Sequence, residues 1–420
     1  MSSSERYTAL KGMKDIMPPE IHIWQMVERA ARDVFASYGL MEIRPPIAEA
    51  TSLFTRSIGE NTDIVEKEMY TFTDKGGRSI SLRPEGTASV VRCYVEHHLH
   101  TLPAPQKYFY SGPMFRYERP QSGRQRQFYQ IGAEAFGSAG PAIDAEIISM
   151  LMRFLQKIGL EGLSFQINSI GCRNCRPAYK EALLAFFSGS LDGLCPDCSR
   201  RYLQNPLRIL DCKVPRCREL RKGAPKITDY LCKDCGEHFD GLLKLLEVLG
   251  VSHTVEPDMV RGLDYYTKTI FEVTSNSLGS QNAVAAGGRY DALVKEFGGP
   301  DTPAIGFAVG MERIIELLKT AGAPVPVPDV FFAYIGMQAF RESLIIADRL
   351  RSAGFWVELA EASSSLKVQM RRADRHSAKY VLILGDDELS SGSIKWKRLA
   401  DSAQGEIPIP DIEVFLRERL

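Results

Sequence analysis

The sequence predicts an α+β fold for most of the chain, followed by a separate α/β domain at the carboxyl end. Strand-like runs joined by loops, with few helices between them, favour an antiparallel sheet over a doubly wound parallel one. The segment AGAPVPVPD holds three prolines in nine residues and predicts a semi-rigid linker. Strand and helix patterns alternate after it, which is the spacing of βαβ units.

The first predicted element is an amphipathic helix over residues 21–38, because apolar residues recur there at helical spacing and Gly39 follows. MEIRPPI predicts a short strand that Pro45 and Pro46 confine to a sheet edge or strand end, since proline has no N–H to donate. Helices are also predicted over residues 144–158 and in GFAVGMERIIELLKT. Further strands are predicted at EMYTFTD, SISLRPE, QKYFYSGPMFRYE, QFYQIGAEAFG, LSFQINSI, TKTIFEVTS and QNAVAAGGRY.

These patterns divide the chain into four parts. The α+β domain is expected to comprise residues 1–170 and 250–320, interrupted by a Cys-rich insertion at residues 171–249. Residues 321–329 form the predicted linker. Residues 330–420 form the predicted carboxyl-terminal domain, in which strands and helices alternate through DVFFAYIG, RESLIIADRLRSAG, FWVELA, SLKVQMRRADRHSA and KYVLILGDDEL.

Charge and hydropathy limit the classes of partner. Lys and Arg together number 52, as do Asp and Glu, so a polyanion must be held by a local cluster of charge and not by a global field. No uncharged apolar run approaches the ~18 residues of a spanning helix, and the first residues lack the apolar segment of a secretion signal. We expect a soluble cytoplasmic protein without a membrane partner.

Eight of the nine cysteines lie between Cys172 and Cys235. They form three C-x-x-C pairs, whose spacing suits tetrahedral Zn²⁺, and one C-x-x-x-x-C pair, so that one or two Cys₄ sites could close. Reduced cysteines also serve as small hydrophobic residues, and the pattern leaves both interpretations open. Cys93 stands alone and is expected in the core. The pairs are Cys172/Cys175, Cys195/Cys198, Cys212/Cys217 and Cys232/Cys235.

A basic hairpin is the most informative stretch of the sequence. Four arginines fall within eleven residues around a glycine-containing turn, so a strand, a turn and a returning strand would present several guanidinium groups to one place. Guanidinium groups bind phosphate oxygens bidentately and stay charged, which suits a nucleoside triphosphate. A solvated basic hairpin is the alternative. The arginines are Arg116, Arg119, Arg124 and Arg126.

This hairpin resembles motif 2 of the class II aminoacyl-tRNA synthetases. Pro46 lies where motif 1 has its proline, and AIGFAVGMERIIELL, with Arg313, resembles motif 3. VRGLDYYTKTIFE and AAGGRYDAL are similar to the two signature peptides of the histidine-specific members, so that nearly the whole chain resembles the histidyl-tRNA synthetase family. The resemblance implies a class II catalytic domain, an anticodon-binding domain after the linker, and a homodimer formed through motif 1.

The resemblance also implies a reaction. Histidine would be activated with ATP, accompanied by Mg²⁺, to histidyl-adenylate and pyrophosphate, and the histidyl group would then pass to the terminal ribose of the tRNA. By resemblance Arg116 holds the α-phosphate and the carboxylate, Arg313 holds the γ-phosphate, and Arg261 adds fixed positive charge beside the α-phosphate. Arg124 is assigned to ATP binding in the same way.

Histidine recognition is assigned by resemblance to residues of three segments, SLRPEGTA, QIGAEAFG and LDYY. One group would hold the α-ammonium, and another would read the two ring nitrogens. The alternative is that the tyrosines are core aromatics and that Glu85 is a surface carboxylate. The ammonium group comprises Glu85, Thr87 and Gln130, the ring group comprises Glu134 with Tyr265 or Tyr266, and Gly86 and the two arginines Arg116 and Arg261 complete the expected site.

Contacts with tRNA are expected in two places. Arg119 and Gln121 lie in the motif 2 hairpin, and a basic cluster occurs in SLKVQMRRADRHSAKY. In that cluster Lys367, Arg371, Arg375 and Lys379 stand four apart, which predicts one helical face, and Arg372 lies beside them. Such a run alone is typical of a solvated face; in a domain that resembles the anticodon-binding domain it predicts a tRNA contact surface.

Two other functions compete with this interpretation. The first is the synthetase-like regulatory subunit of ATP phosphoribosyltransferase, which shares the catalytic fold but lacks the anticodon-binding domain and has eroded motifs. The second is a zinc-dependent nucleic-acid-binding module built on residues 171–249, which explains the cysteines but leaves the arginine hairpin and RGLDYY without a purpose.

Overall fold

The computed structural model describes residues 7–59, 62, 64–121, 123–278, 282–361 and 364–420. The chain forms two compact units, residues 1–323 and residues 324–420. No helix among the described residues is both long enough and apolar enough to cross a bilayer.

The first unit is built of mixed helices and strands. Its described strands are β1 (Met41–Glu42), β2 (Ala48–Ala50), β3 (Thr71–Thr73), β4 (Ser79–Leu82), β5 (Gln106–Phe115), β6 (Gln127–Phe136), β7 (Leu163–Ser169), β8 (Thr254–Val255), β9 (Thr267–Ser275), β10 (Ala283–Arg289) and β11 (Ala304–Gly310). Its described helices are α1 (Glu20–Ser37), α2 (Thr51–Ile58), α3 (Thr87–Glu96), α4 (Pro141–Lys157), α5 (Arg176–Ser188), α6 (Pro196–Gln204), α7 (Pro215–Leu220), α8 (Lys233–Val248), α9 (Leu293–Glu296) and α10 (Met311–Thr320).

The centre of this unit is an eight-stranded sheet in the order β1-β5-β6-β11-β10-β9-β7-β8. The pairs from β5 through β7 are antiparallel, and parallel pairing occurs only at the two edges, β1 with β5 and β7 with β8. The predicted antiparallel α+β fold is therefore confirmed. The strand before Pro45 and Pro46 lies at a sheet edge, as the absence of proline N–H groups requires.

Helix α1 packs against this sheet through the predicted apolar face. It ends where Gly39 takes φ +76°, a left-handed conformation that glycine adopts without strain. Its buried face joins one hydrophobic cluster with residues of α4, α8, α10 and the sheet. The buried residues of α1 are Ile23, Trp24, Val27, Ala30, Ala31, Val34 and Phe35.

The sequence patterns did not predict α2, α3 or β11. Helix α3 is rich in β-branched residues that favour strands, yet it is helical because the Glu85 carboxylate accepts hydrogen bonds from the backbone N–H groups of Thr87 and Ala88 at 2.7 and 2.8 Å. Cys93, expected in the core, lies on this helix and is only partly buried. Strand β11 consists of AIGFAVG, which precedes the predicted helix in the same apolar run.

The Cys-rich insertion folds into helices α5 to α8 with a hydrophobic cluster of its own. This cluster contains Tyr179, Leu183 and Phe187 of α5 together with Cys198 and Cys217. Helix α8, by contrast, contributes Phe239, Leu242 and Leu246 to the main cluster of the first unit. The last helix of the insertion is thus anchored on the hydrophobic core of the first unit.

The second unit has a five-stranded sheet in the order β13-β12-β14-β15-β16. The β13-β12-β14 part is parallel, as the predicted βαβ units require, and two antiparallel strands that the patterns did not predict extend it. Its described elements are β12 (Val330–Tyr334), α11 (Met337–Ser352), β13 (Val357–Leu359), α12 (Leu366–Arg375), β14 (Tyr380–Leu384), α13 (Asp386–Ser391), β15 (Ser393–Arg398), β16 (Gln404–Pro408) and α14 (Ile412–Arg417).

One part of the predicted basic helical face is wrong. Lys367, Arg371 and Arg375 are exposed on α12, but the helix ends at Arg375 and the chain turns at Ser377, whose φ is +53°. Lys379 therefore lies outside the helix, and its Nζ pairs with Asp329 at 2.8 Å.

Candidate active site

One pocket on the main sheet brings most of the predicted site residues together. Its walls come from the start of α3, the β5–β6 hairpin, the segment before β9, the strands β10 and β11, and the start of α10. Predicted residues that line it are Glu85, Thr87, Arg116, Arg124, Gln130, Arg261, Tyr265, Tyr266 and Arg313. Residues that line it without having been predicted include Glu118, Phe128, Tyr290 and Glu312.

One end of the pocket is rich in buried hydrogen-bonding groups. Glu85 is buried, and burial raises the pKa of its carboxyl group, while its bonds to α3 and the charge of Arg116 oppose that rise. The amide Oε1 of Gln130 is buried and has no hydrogen-bond partner among the described residues. A buried polar atom of this kind normally has a partner, so Gln130 offers an acceptor to a bound molecule.

Glu134 lies behind this end of the pocket and is fully buried. The Thr87 hydroxyl donates to its Oε1 at 2.7 Å, and the Tyr290 hydroxyl donates to its Oε2 at 2.5 Å. Burial raises the pKa of Glu134 to about 8, although both hydrogen bonds act in the opposite direction. Burial therefore favours the protonated form of the Glu134 carboxyl group, and the two hydrogen bonds favour the ionised form.

Gly86, which was expected at the site, leaves room for the buried ring of Tyr110. A Cβ atom at Gly86 would lie 2.2 Å from the Tyr110 ring, and one at Gly132 would lie 2.3 Å from the other side of it. Tyr110 is 1% exposed and packs between the two backbones. These glycines allow β6 and the start of α3 to approach closely enough for Thr87 to reach Glu134.

Two tyrosines form another wall. Tyr265 and Tyr266 are 7% and 6% exposed, and the Tyr265 ring lies edge-on to Tyr290 with the centroids 5.7 Å apart. Burial raises the pKa of Tyr266 to about 12, so both hydroxyls stay protonated and can donate hydrogen bonds. The tyrosines are buried aromatics, and they also face the pocket.

The opposite end of the pocket carries concentrated positive charge. Arg116 donates to the carbonyl of Pro84 at 2.9 Å and lies over the Phe128 ring, and Arg124 forms an ion pair with Glu118. Arg313 donates to the carbonyl of Ala283. Burial lowers the pKa of Arg313, as does the positive charge of Arg124. These fixed cations favour an anion with several oxygens, such as a triphosphate.

Arg261 lies between the two ends. Its guanidinium pairs with Glu272 at 3.0 Å, and its Nε is buried without a hydrogen-bond partner in the described part of the chain. The arginine thus keeps donor capacity for a ligand. Glu272 and the pocket-lining Glu118 supply carboxylate oxygens next to the arginines, and oxygen is the ligand that Mg²⁺ prefers. The donor set accordingly fits a triphosphate that carries Mg²⁺.

The sequence predicted that the hairpin arginines present their guanidinium groups to one place. The structure brings only two of the four to the pocket. Arg116 and Arg124 line the pocket, whereas Arg126 stacks over the Tyr117 ring with its Cζ 3.9 Å from the centroid. Arg119 is exposed. Gln121 is also exposed and pairs with Arg124 through two backbone hydrogen bonds of 3.0 Å, which form the tight turn of the hairpin.

A buried ion pair supports the strand that ends next to Tyr290. Arg289 and Asp144 are both 0% exposed and joined by a salt bridge, and Thr269 donates to the same carboxylate at 2.7 Å. Burial raises the pKa of Asp144 to about 6 and lowers that of the neighbouring His238 to about 4. The sequence patterns missed this cluster and the contribution of Tyr290, although GGRYDAL, which contains Arg289 and Tyr290, is one of the quoted peptides.

Comparisons with known proteins agree with this geometry. A family model described as Histidyl-tRNA synthetase matches residues 12–173 and 218–314, and one described as Anticodon binding domain matches residues 329–419. The Histidine--tRNA ligase of Thermodesulfovibrio yellowstonii is 51% identical over 99% of both chains, and that of Syntrophotalea carbinolica is 50% identical over 98% of both. The apo histidyl-tRNA synthetase of S. aureus is similar with a TM-score of 0.80 at 35% identity, covering 98% of this chain and 100% of that one.

Proposed function

The chain belongs to the histidyl-tRNA synthetase family and ligates L-histidine to its tRNA, and we propose that the pocket described above is where histidine and ATP react. The observation that carries this proposal is the arrangement of the pocket: buried, partly unsatisfied polar groups at one end and clustered arginines at the other. The regulatory-subunit alternative is not supported, because near-full-length relatives at about half identity are ligases and the second unit matches an anticodon-binding domain.

The polar end would bind histidine. Gln130, Glu85 and Thr87 would accept hydrogen bonds from the α-ammonium, whose positive charge favours the ionised form of Glu85. Glu134 and a tyrosine hydroxyl would hydrogen-bond the two ring nitrogens. A site built in this way rejects apolar isosteres by roughly 10⁴-fold or more, because its own buried polar groups would be left unpaired.

The arginine end would bind ATP so that the histidine carboxylate attacks the α-phosphate in line. Arg116 and Arg261 would neutralise charge that accumulates on the α-phosphate oxygens, and Arg124 and Arg313 would hold the remaining phosphates. Mg²⁺ bound to the triphosphate would supply further charge neutralisation. No protein nucleophile is needed, so the contribution of the chain is positioning and preorganised charge.

Contacts with tRNA are proposed for exposed basic and polar residues. Arg119 and Gln121 lie at the tip of the hairpin that borders the pocket, where the acceptor end must arrive. Lys367, Arg371 and Arg375 are exposed on α12 of the unit that matches the anticodon-binding domain. Their charge would bind phosphates mainly without sequence preference.

We also propose a homodimer that works in the cytoplasm, where charged tRNA is used. Supporting the dimer, large apolar side chains stay exposed around the motif 1 prolines, with Met41 at 55%, Ile47 at 42% and Phe72 at 49%. We propose the same four-part division of the chain that the sequence predicts, in which residues 1–170 and 250–320 form the catalytic part. The insertion is proposed to hold zinc in a structural and not a catalytic role, since none of its cysteines lines the pocket.

Replacement of one arginine tests the proposed division of the pocket. Arg261→Ala should nearly abolish histidine-dependent ATP–pyrophosphate exchange while the Kd for histidine stays within a small factor, because its charge is used mainly in the transition state. Arg341→Ala is the control, since it removes an exposed arginine on α11 and should leave exchange unchanged. A loss confined to the KM for histidine would refute the proposed role of Arg261.

A further inference from the structure

The eight cysteines of the insertion form two separate groups of four. The first group joins Cys172 and Cys175, after β7, with Cys232 and Cys235 at the start of α8. The second lies within the insertion and consists of Cys195, Cys198, Cys212 and Cys217. Within each group the four Sγ atoms all lie within 4.8 Å of one another. The fold therefore selects one grouping of the four cysteine pairs that the sequence alone left open.

The distances between sulfurs match the edges of a metal-centred tetrahedron. A Zn–S bond of about 2.3 Å in tetrahedral geometry places the sulfurs ~3.8 Å apart. Cys172 Sγ lies 3.7 Å from Cys175 Sγ and 3.8 Å from Cys232 Sγ, and in the second group Cys195 Sγ lies 3.9 Å from Cys212 Sγ. A disulfide would require about 2.05 Å, and all of these cysteines are free.

Backbone N–H groups point at the sulfurs in both groups. The Asn174 N–H donates to Cys172 Sγ at 3.4 Å, and the Cys232 N–H donates to Cys175 Sγ at 3.1 Å. In the second group, the N–H of Cys195 donates to Cys217 Sγ at 3.3 Å. Such donors stabilise thiolates in metal sites, whereas a neutral thiol is a weak acceptor. Apolar packing of reduced cysteines explains neither these donors nor the convergence of four sulfurs.

We propose that each group binds one Zn²⁺ ion as a closed tetrathiolate site, so that the chain carries two structural zinc ions. Four sulfur ligands satisfy tetrahedral zinc and leave no position for a substrate, which is typical of structural sites. Most of the sulfurs are shielded, with Cys198 and Cys217 at 0% exposure. The proposal depends on the cysteine geometry and not on the reaction assigned to the pocket.

The two sites stabilise different parts of the insertion. The first closes the base of the insertion, because its ligands come from both ends of it, 60 positions apart at Cys172 and Cys232. Gly171 must be glycine there, since its φ is +62° and a Cβ would lie 2.6 Å from Cys175 Cβ. The second site crosslinks α6 with the segment up to α7, including the turn at Pro206–Ile209. The binding free energy of each ion would add directly to folding.

Both sites also lie next to arginines that hold the loop bearing Arg261 and Tyr265. Arg176, directly after Cys175, donates to the carbonyl of Tyr266. Arg208, between the ligand pairs of the second site, donates to the carbonyl of Gly262 at 2.8 Å and pairs with Asp264 at 3.0 Å. This step rests on the proposed function. Because the two arginines connect the zinc sites to the loop, loss of zinc should lower histidine activation although no cysteine of either site lines the pocket.

Metal analysis of the full chain, purified without an affinity tag, tests the proposal. The expected result is two zinc ions per chain and no iron. The double variant Cys172→Ser/Cys232→Ser should retain one zinc, as should Cys195→Ser/Cys212→Ser, because each pair belongs to one site. If the two cysteines replaced in a double variant belonged to different zinc sites, that variant would lose both ions. Cys93→Ser is the control and should retain two.

Cobalt substitution tests the wild-type chain without any variant, in case a double variant does not fold. Thiolate-to-Co²⁺ charge-transfer absorption should saturate at two equivalents. Zero or one metal per chain, or iron in place of zinc, overturns the proposal. If two zinc ions are present but histidine-dependent exchange is absent, the proposed function fails while the metal sites stand. If exchange is present in metal-free protein at the full rate, the connection to the loop is refuted.

Discussion

Tyr290 donates a 2.5 Å hydrogen bond to Oε2 of Glu134, a residue 156 positions away in the chain. Thr87 donates to the other carboxylate oxygen at 2.7 Å, so that Glu134 is held from both sides. Because Glu134 is fully buried behind the polar end of the pocket, these bonds fix its position, which supports its proposed contact with the histidine ring. This relationship links the peptide AAGGRYDAL, which contains Tyr290, to the strand QIGAEAFG, which contains Glu134.

Replacing Glu134 should therefore weaken the binding of histidine. Glu134→Ala leaves an imidazole N–H without its acceptor, which costs about 1.5–3 kcal/mol, or roughly 10- to 150-fold in Kd. Equilibrium dialysis with histidine measures the loss, and exchange assays with competing amino acids should show reduced discrimination. Glu237→Ala, which removes an exposed carboxylate on α8, is the control. Unchanged affinity in Glu134→Ala would return Glu134 to a purely structural role.

The raised pKa of Glu134 predicts a pH dependence of stability. Its pKa moves from 4.5 to about 8 on folding, so the protonated form is favoured in the folded state. The contribution of protonated Glu134 to the free energy of unfolding is fully present below about pH 4.5. It is lost as the pH rises towards 8, at up to about 1.4 kcal/mol per pH unit. The free energy of unfolding of the wild type should fall over this range relative to Glu134→Gln, which cannot ionise.

Urea unfolding of both proteins at pH 5.5 and 7.5 measures this difference. The comparison with Glu134→Gln removes the titration of groups that the two proteins share. A difference in unfolding free energy that does not change between the two pH values would show that Glu134 is already ionised in the folded state.

The sequence identified most of the pocket but not the contacts that hold it. Arg116 lies in a hairpin whose clustered arginines indicate phosphate binding, and the family resemblance of RGLDYY assigned Arg261 and Tyr265 to the site. The contact of Tyr290 with Glu134 depends on the order of strands in the sheet, which local patterns do not encode. The end of α12 before Lys379 was missed for a related reason, since four-residue spacing continues past the point where the backbone turns.

The assignment of cysteines to sites shows the same limit. Spacing marks each C-x-x-C unit as a candidate half-site, but which halves meet depends on how the insertion folds back from α8 to β7. Helix α3 was missed because its β-branched residues favour strands, and a carboxylate outside the helix, that of Glu85, stabilises its start. Contacts between distant segments decide which cysteines meet, whereas the start of α3 depends on a local contact that strand propensity does not reveal.

Breaking the buried ion pair next to the pocket should destabilise the protein. Arg289→Met leaves Asp144 without its partner in a fully buried position, which costs about 3–5 kcal/mol. Lys295→Met, which breaks the exposed pair with Asp301, is the matched control and should cost less than about 1 kcal/mol. Chemical denaturation at constant pH measures both. A loss of under 1 kcal/mol in Arg289→Met would mean that Asp144 is protonated and satisfied without the arginine.

Removal of the carboxyl-terminal unit should separate the two steps of the reaction. A chain without residues 329–420 keeps every residue of the pocket and should retain histidine-dependent exchange. It should charge tRNA much more weakly, because the exposed basic residues of α12 are lost. Parallel exchange and charging assays measure the two steps. If exchange disappears while the shortened chain stays folded and dimeric, the proposed division between the domains is wrong.

ATP–pyrophosphate exchange with each of the twenty amino acids is the decisive measurement for the proposed function, because it reports adenylate formation in this pocket without tRNA. We expect exchange with histidine alone, with a kcat/KM at least roughly 10⁴-fold higher than that for apolar amino acids of similar size. Exchange of similar efficiency with another amino acid, or none with histidine in folded protein supplied with Mg²⁺, would contradict it.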